Sequence, residues 1–195
     1  MPNHLESTRR SFILSLTASC AGLLSAQTLA GVEGLHEDMA KSIKSLKIFD
    51  SKQIEALAAM VEVIIPRTDT PGAKEAGVHY FIDNELACCV SESERALFIA
   101  QFNSLVKIVY TLYGKPFDEL DVAIQNTVMH QIVAAKSPFP ATSLAFFKQL
   151  KSLTMLGYYT SKIGASVELA YLPIPGGYDG NFKLKDIGRA WDRIF

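Results

Sequence analysis

The chain has 195 residues, 49% of them hydrophobic and 20% charged, with a formal net charge of −1. This length and apolar content suffice for one domain with a real core and exclude the disordered and fibrous classes. No basic cluster occurs beyond the first dozen residues, so the charge pattern excludes nucleic acid as a partner.

The first thirty residues differ from the rest. Ser7-Thr8-Arg9-Arg10-Ser11-Phe12 opens an uncharged run that reaches Ala30, with its most apolar part between Phe12 and Leu24. A basic start, a short apolar stretch and small residues at Ala26 and Ala30 predict an exported signal peptide over residues 1–30. The run is rich in Ser, Thr, Ala and Gly and falls short of the roughly 20 strongly apolar residues a membrane span needs. Arg9 and Arg10 followed by Ser11 and Phe12 resemble the twin-arginine signal, S/T-R-R-x-F. Cys20 follows Thr17-Ala18-Ser19 and lacks the leucine that precedes a lipidated cysteine. Without residues 1–30, which hold Arg9, Arg10 and Glu6, the chain keeps 17 basic and 19 acidic side chains and a charge of −2.

Residues 31–49 form a polar lead-in arm carrying His36, and the helical domain runs from 50 to 195. Asp50 caps a first helix with Gln53 three residues later, and Ile54, Leu57, Ala58, Val61, Ile64 and Ile65 recur at helical spacing. Pro66 ends it, and Pro66 to Ala73 is a turn-rich loop. Glu75 to Val90 is predicted helical, with Val78, Phe81, Ile82, Leu86 and Cys89 inward. Ser91 and Glu94 open a longer helix with Phe98, Phe102, Leu105, Val109 and Leu112 buried, stopped by Gly114. Phe117 or Asp118 starts the next, with Leu120, Ile124, Val128 and Ile132 in period, and Ser137 to Pro140 breaks it. Thr142 precedes a last long helix through Leu144, Phe147, Leu150, Thr154 and Tyr158. With no alternating strand run and no internal repeat, the pattern predicts an all-α fold, an irregular bundle of five or six helices.

Residues 156–180 hold five of the twelve glycines, four of the seven tyrosines and two of the eight prolines, so this tract is no single regular element. Pro173 and Pro175 fix φ and remove two donors, and Gly176-Gly177 then free the backbone. Tyr158, Tyr159, Tyr171 and Tyr178 each pair a large apolar ring with one hydroxyl, suited to closing a core edge or to contacting another protein.

The sequence carries no strong catalytic motif. Histidines at 4, 36, 79 and 130 form no HExxH pair, so no zinc site is indicated. His79 and Asp83, four apart, share a helix face and offer an acid and a base, but a satisfied surface or boundary histidine is the simpler reading of His79 and of His130. There is no phosphate-binding glycine loop and no GxSxG elbow. Asp118, Glu119 and Asp121 read as the acidic first turn of a helix. Cys88 and Cys89 remain after signal removal; adjacent helical residues point about 100° apart, which disfavours a bridge between them. The expectation is one buried thiol and one that is free or paired with a partner chain. Too few cysteines remain for an iron–sulfur cluster.

The twin-arginine route carries folded proteins, often because a cofactor was inserted before export. A chain with that address and no cofactor motif fits an escort whose partner holds the cofactor. Three segments carry a family resemblance: Val63 to Ala73 followed by Ala76-Gly77-Val78 and Phe81-Ile82-Asp83; Phe147 to Lys151, Thr154, Gly157 to Ser161 and Gly164; and Leu169, Tyr171, Pro175-Gly176 and Tyr178-Asp179-Gly180. In these the chain resembles the gluconate 2-dehydrogenase subunit 3 family, small subunits of membrane-associated sugar dehydrogenases. The resemblance implies a non-catalytic periplasmic subunit exported with a large FAD-binding flavoprotein of glucose–methanol–choline type, with a third subunit of cytochrome c type carrying haem. It implies no catalytic, cofactor or metal residue in this chain. Arg9, Arg10 and Phe12 would address the twin-arginine translocase. Tyr158, Tyr159, Tyr171, Pro173, Pro175 and Tyr178 would form or support the partner interface, and Cys88 or Cys89 would be an intersubunit or free thiol. The competing expectation is a stand-alone periplasmic enzyme or ligand-binding domain using His79, Asp83 and the tyrosine-rich loop as a pocket.

Overall fold

A computed structural model describes residues 45–170, 181 and 183–191. The first helix, α1 (Ser51–Ile64), starts as the sequence predicts: Asp50 Oδ1 accepts from the backbone N–H of Lys52 and Gln53, each at 2.8 Å, and the Gln53 side chain accepts from Asp50 N–H at 3.0 Å. These bonds satisfy the donors that every helix start leaves open. Its middle, Ala56-Leu57-Ala58-Ala59-Met60-Val61, is buried residue after residue, so α1 is enclosed on all sides. The alanines allow neighbours to approach closely, and α1 packs against four other elements of the bundle.

The next helix, α2 (Val78–Cys88), begins three residues later than the spacing predicts. Residues 73–77 instead form a turn closed by Gly77 at φ 74°, a left-handed conformation that suits glycine. Val78, Ile82 and Leu86 face the core as expected, and Phe81 is half-buried. The third, α3 (Glu92–Tyr113), carries the predicted Ser91–Glu94 capping box and ends at Gly114 with φ 67°. Phe98, Phe102, Leu105 and Val109 are buried, but Leu112 is 48% exposed. From Val109 the inward stripe steps four residues to Tyr113, which leaves Leu112 on the flank. By length and composition α3 is the one helix among the described residues able to cross a membrane; its buried stripe lies in the bundle core.

The predicted helix start at Phe117 or Asp118 is a three-residue 3₁₀ turn, Phe117–Glu119, and α4 (Val122–Val133) begins only after Leu120 and Asp121. Fully buried Phe117 anchors this turn, and its carbonyl accepts from Gln125 Nε2 at 2.9 Å. Leu120 is therefore a core residue ahead of the helix, followed within it by Val128, Met129 and Ile132.

The last long helix, α5 (Ser143–Thr160), turns Ser143, Phe146, Leu150, Thr154, Gly157 and Tyr158 inward, one position off the predicted Leu144 and Phe147. Phe98, Phe102 and Phe146 stack with centroids 5.0 and 6.4 Å apart, and Phe49 meets Phe102 edge-on at 5.3 Å. A π-helical turn, Gly164–Glu168, and a four-residue helix, α6 (Leu184–Ile187), complete the described elements. Ala170 and Trp191 form one isolated bridge. The fold is all-α, as predicted, with five long helices and no strand among the described residues.

The final residues of the lead-in arm belong to this body. Asp83 on α2 is 1% exposed, and its carboxylate accepts from the backbone N–H groups of Lys47 (2.7 Å), Ile48 (3.0 Å) and Phe49 (2.9 Å). Phe49 is buried at 3%.

Candidate functional site

The loop after α1 is organised by Glu62. Its two carboxylate oxygens accept from the backbone N–H of Arg67 at 3.0 Å and of Lys74 at 2.8 Å, spanning both ends of the loop. A Cβ at Gly72 would lie 2.2 Å from Glu62 Oε1, so the glycine of Pro71-Gly72 gives the carboxylate its room. Ala73 N–H donates to the Ile65 carbonyl at 2.9 Å and closes the loop against the end of α1.

Two side-chain bonds fasten this loop to the C-terminal part of the body. Tyr158 Oη donates to the Pro71 carbonyl at 2.8 Å, and Thr70 Oγ1 donates to Glu168 Oε2 at 2.6 Å. The turn beyond α5 is held by Ser161, whose hydroxyl donates to the Tyr158 carbonyl at 2.6 Å and accepts from Gly164 N–H at 3.0 Å. A Cβ on Gly164 would stand 1.9 Å from the Tyr158 carbonyl oxygen, so no larger residue fits this turn without moving the backbone. Segments nearly a hundred residues apart in sequence thus form one junction. Glu62 was missed in the sequence, where the Pro-Gly turn was the only trace of it.

The two neighbouring tyrosines have opposite fates. Tyr158 is 1% exposed and presents no surface to a partner; burial pushes its phenol above the ordinary range. Tyr159, its ring 5.3 Å from that of Tyr158 and nearly perpendicular, is 36% exposed. Met155 and Leu156, which sequence reasoning did not single out, are exposed on the same helix end, with Val167 on the turn that follows. Tyr171, Pro173, Pro175 and Tyr178 lie outside the described residues, as do Arg9, Arg10 and Phe12 with the rest of the signal segment.

His79 and Asp83 do share a face of α2, but not as an open acid–base pair. The Asp83 carboxylate is occupied by the three backbone donors. His79, expected at the surface or boundary with its hydrogen bonds met, is 7% exposed and its Nδ1 has no partner. Its ring lies 4.1 Å from that of Tyr80. Burial lowers its pKa to about 4, against the opposing pull of Glu55 and with a smaller push from Lys74. The imidazole is neutral at pH 7, as a largely buried base should be. His130 is exposed on α4.

Cys88 and Cys89 are both exposed, which corrects the expectation of one buried thiol. The helix stops at Cys88 and Cys89 is its cap, so both side chains project at the α2–α3 corner before the inward period returns. Cys88 Sγ lies 3.8 Å from Lys47 Nζ and 3.9 Å from Asn84 Oδ1, and Lys47 Nζ donates to the same Asn84 oxygen. Hydrogen bonding to Glu85 pushes the Cys89 thiol up.

No group of three or more His, Cys, Asp or Glu suited to a metal ion occurs among the described residues. A cleft of about 620 Å³ opens beside the start of α1, where Asp50, Glu55 and Glu119 face Lys52, Lys107 and Tyr110. Of its acidic groups, Asp50 is committed to its cap and Glu55 to Lys74 at 3.1 Å. A smaller groove of about 200 Å³ lies between the end of α1, α4 and α5.

The family model described as gluconate 2-dehydrogenase subunit 3 matches residues 51–176, which takes in every element from α1 through the junction just described. Comparison with curated proteins and with solved structures gives no match.

Proposed function

Because the chain belongs to the gluconate 2-dehydrogenase subunit 3 family, we propose that it is the non-catalytic small subunit of a periplasmic, membrane-associated dehydrogenase. The catalytic subunit in this reading is an FAD-binding protein of glucose–methanol–choline type that oxidises a hydroxyl of a sugar, sugar acid or glycoside. The small subunit supports its folding and brings it through the twin-arginine translocase by way of Arg9, Arg10 and Phe12. FAD belongs to the catalytic subunit and haem to a third, cytochrome c-type subunit; no residue of this chain is assigned to either.

The observation that carries the reading is the use made of the polar groups in and directly beside the family-like segments. Thr70 and Tyr158 join the loop that Glu62 braces to the turn that carries Ser161 and Glu168, building a platform with Met155, Leu156 and Tyr159 on its outside. A platform with apolar side chains exposed suits contact with another protein. The alternative, a stand-alone enzyme working through His79 and Asp83, gains no support, since both groups are buried and Asp83 is already bonded.

The test is export and company. In the native host, the tagged full chain should recover a stoichiometric large subunit from the periplasm, with flavin absorption in the recovered complex. Replacing Arg9 and Arg10 with lysine should leave both chains in the cytoplasm. Normal export of the large subunit in that variant would remove the escort role, and a wild-type chain recovered alone and active on a small substrate would overturn the reading.

A further inference from the structure

Between Val122 and Val167 the chain contains no aspartate or glutamate, while Lys136, Lys148, Lys151 and Lys162 give it four positive charges. With a total of −1, the rest of the chain therefore carries −5. This acid-free tract is α4, α5 and the turns beside them. All four lysines are exposed, and none forms an ion pair among the described residues. An acid-free tract carrying exposed lysines, on an otherwise acidic chain, is an electrostatic feature in search of negative charge.

The same face has an apolar receptor. The groove of about 200 Å³ is floored by Ile64, Met129, Val133 and Phe147, with His130 and Lys151 also lining it. Residues four apart on a helix share a row, so Phe147, Lys151 and Met155 continue the groove along α5. Beyond Met155, exposed at 43%, come Leu156 at 50% and Tyr159 at 36%. Apolar anchors within a charged rim are the anatomy of a protein interface.

We propose that the α4–α5 face is the docking surface for the catalytic subunit, which meets it with an apolar knob in the groove and carboxylates opposite Lys148, Lys151 and Lys162. This rests on the reading of the chain as a small subunit and adds to it where the partner sits and what charge it bears. A bilayer of anionic lipid shares the negative charge, but a plane of headgroups does not fill a groove walled by three helices. The exposed apolar side chains of α3, Leu97, Tyr110 and Leu112, lie outside the acid-free tract and take no part.

The experiment treats the complex purified from the native host with a carbodiimide, which condenses a lysine amine with a carboxylate and leaves a zero-length amide. Mass spectrometry should find links from Lys148, Lys151 or Lys162 to Asp or Glu of the large subunit. In parallel, the triple variant Lys148→Glu, Lys151→Glu, Lys162→Glu and the single variant Tyr159→Asp should each cut recovery of the large subunit at least tenfold. Leu97→Asp should leave recovery unchanged. All the substituted side chains are exposed, and thermal melts by circular dichroism should match the wild type; the cross-link map decides the matter should a variant misfold. Links confined to lysines elsewhere, such as Lys52 or Lys107, or full recovery with both folded α5 variants, would overturn the docking face and leave the subunit reading standing. A wild-type chain that recovers no flavoprotein would overturn both. Wild-type binding to phosphatidylglycerol vesicles that the triple variant loses, with subunit recovery intact, would assign the face to the membrane instead.

Discussion

At the scale of single residues, burial acts on the protonation of His79. Its folded pKa of about 4 lies below the ordinary 6.5, so the fold favours the neutral ring. The unfolded chain therefore takes up the proton first as pH falls. The His79 contribution to stability is fully present above pH 6.5, declines as pH drops from 6.5 toward 4, and is lost once both states are protonated. A shift of this size corresponds in full to about 3–4 kcal/mol, which the partial solvent access of the site reduces to about 2 kcal/mol. Urea denaturation at a series of pH values should show the decline, and His79→Phe should flatten the His79 share of it. An unchanged slope in the variant would mean that carboxylates alone set the acid sensitivity. Asp83 teaches a different lesson at this scale. Its spacing from His79 suggests an acid–base pair, yet its partners are backbone donors more than thirty residues earlier, and backbone donors leave no mark in a sequence.

At the scale of elements, local rules found the helix starts that rest on side-chain caps and misplaced those that rest on tertiary contact. Asp50 with Gln53 and Ser91 with Glu94 were legible because the capping bonds lie within four residues. The starts of α2 and α4 were not, because a left-handed Gly77 and a buried Phe117 fix them through the packing of neighbours. The contact of α2 with α5 shows which effect wins when local preference and packing disagree. In a helix, Gly→Ala gains about 1 kcal/mol from backbone preference alone. At Gly157 the added Cβ would lie 2.5 Å from Phe81 Cδ1, and the crowding costs about 1–3 kcal/mol. Gly157→Ala should therefore be neutral to destabilising in a thermal melt, where an uncontacted site would show a gain. Adding Phe81→Leu should recover part of the loss. A clear rise in melting temperature for Gly157→Ala by itself would mean that Phe81 yields freely and that the two helices are not held at this distance by the glycine.

At the scale of the whole molecule, the bundle is tied across its sequence by the junction of the 66–73 loop with the end of α5 and the π-helical turn. The tyrosine-rich tract was legible as special from composition, but composition has no phase, and only the helix period of α5 sends Tyr158 inward and Tyr159 out. The junction makes its own prediction. Tyr158→Phe removes the bond to the Pro71 carbonyl while keeping the ring, and Thr70→Val removes the bond to Glu168 while keeping the shape. In urea denaturation Tyr158→Phe should cost about 0.5–1.5 kcal/mol, the net worth of a typical hydrogen bond, and Thr70→Val, whose bond is to a carboxylate, about 1.5–3 kcal/mol. Thr70 and Pro71 are adjacent, so either bond holds the same short loop in place for the other. Once one is lost, the loop is looser and the second bond has less to contribute. The double variant should accordingly cost less than the two single variants together, by about 0.5 kcal/mol or more, the coupling expected of groups that share a support. Additivity to within about 0.3 kcal/mol would instead show that Glu62 and the end of α1 hold the loop unaided, and that the C-terminal segment rests on it without locking it.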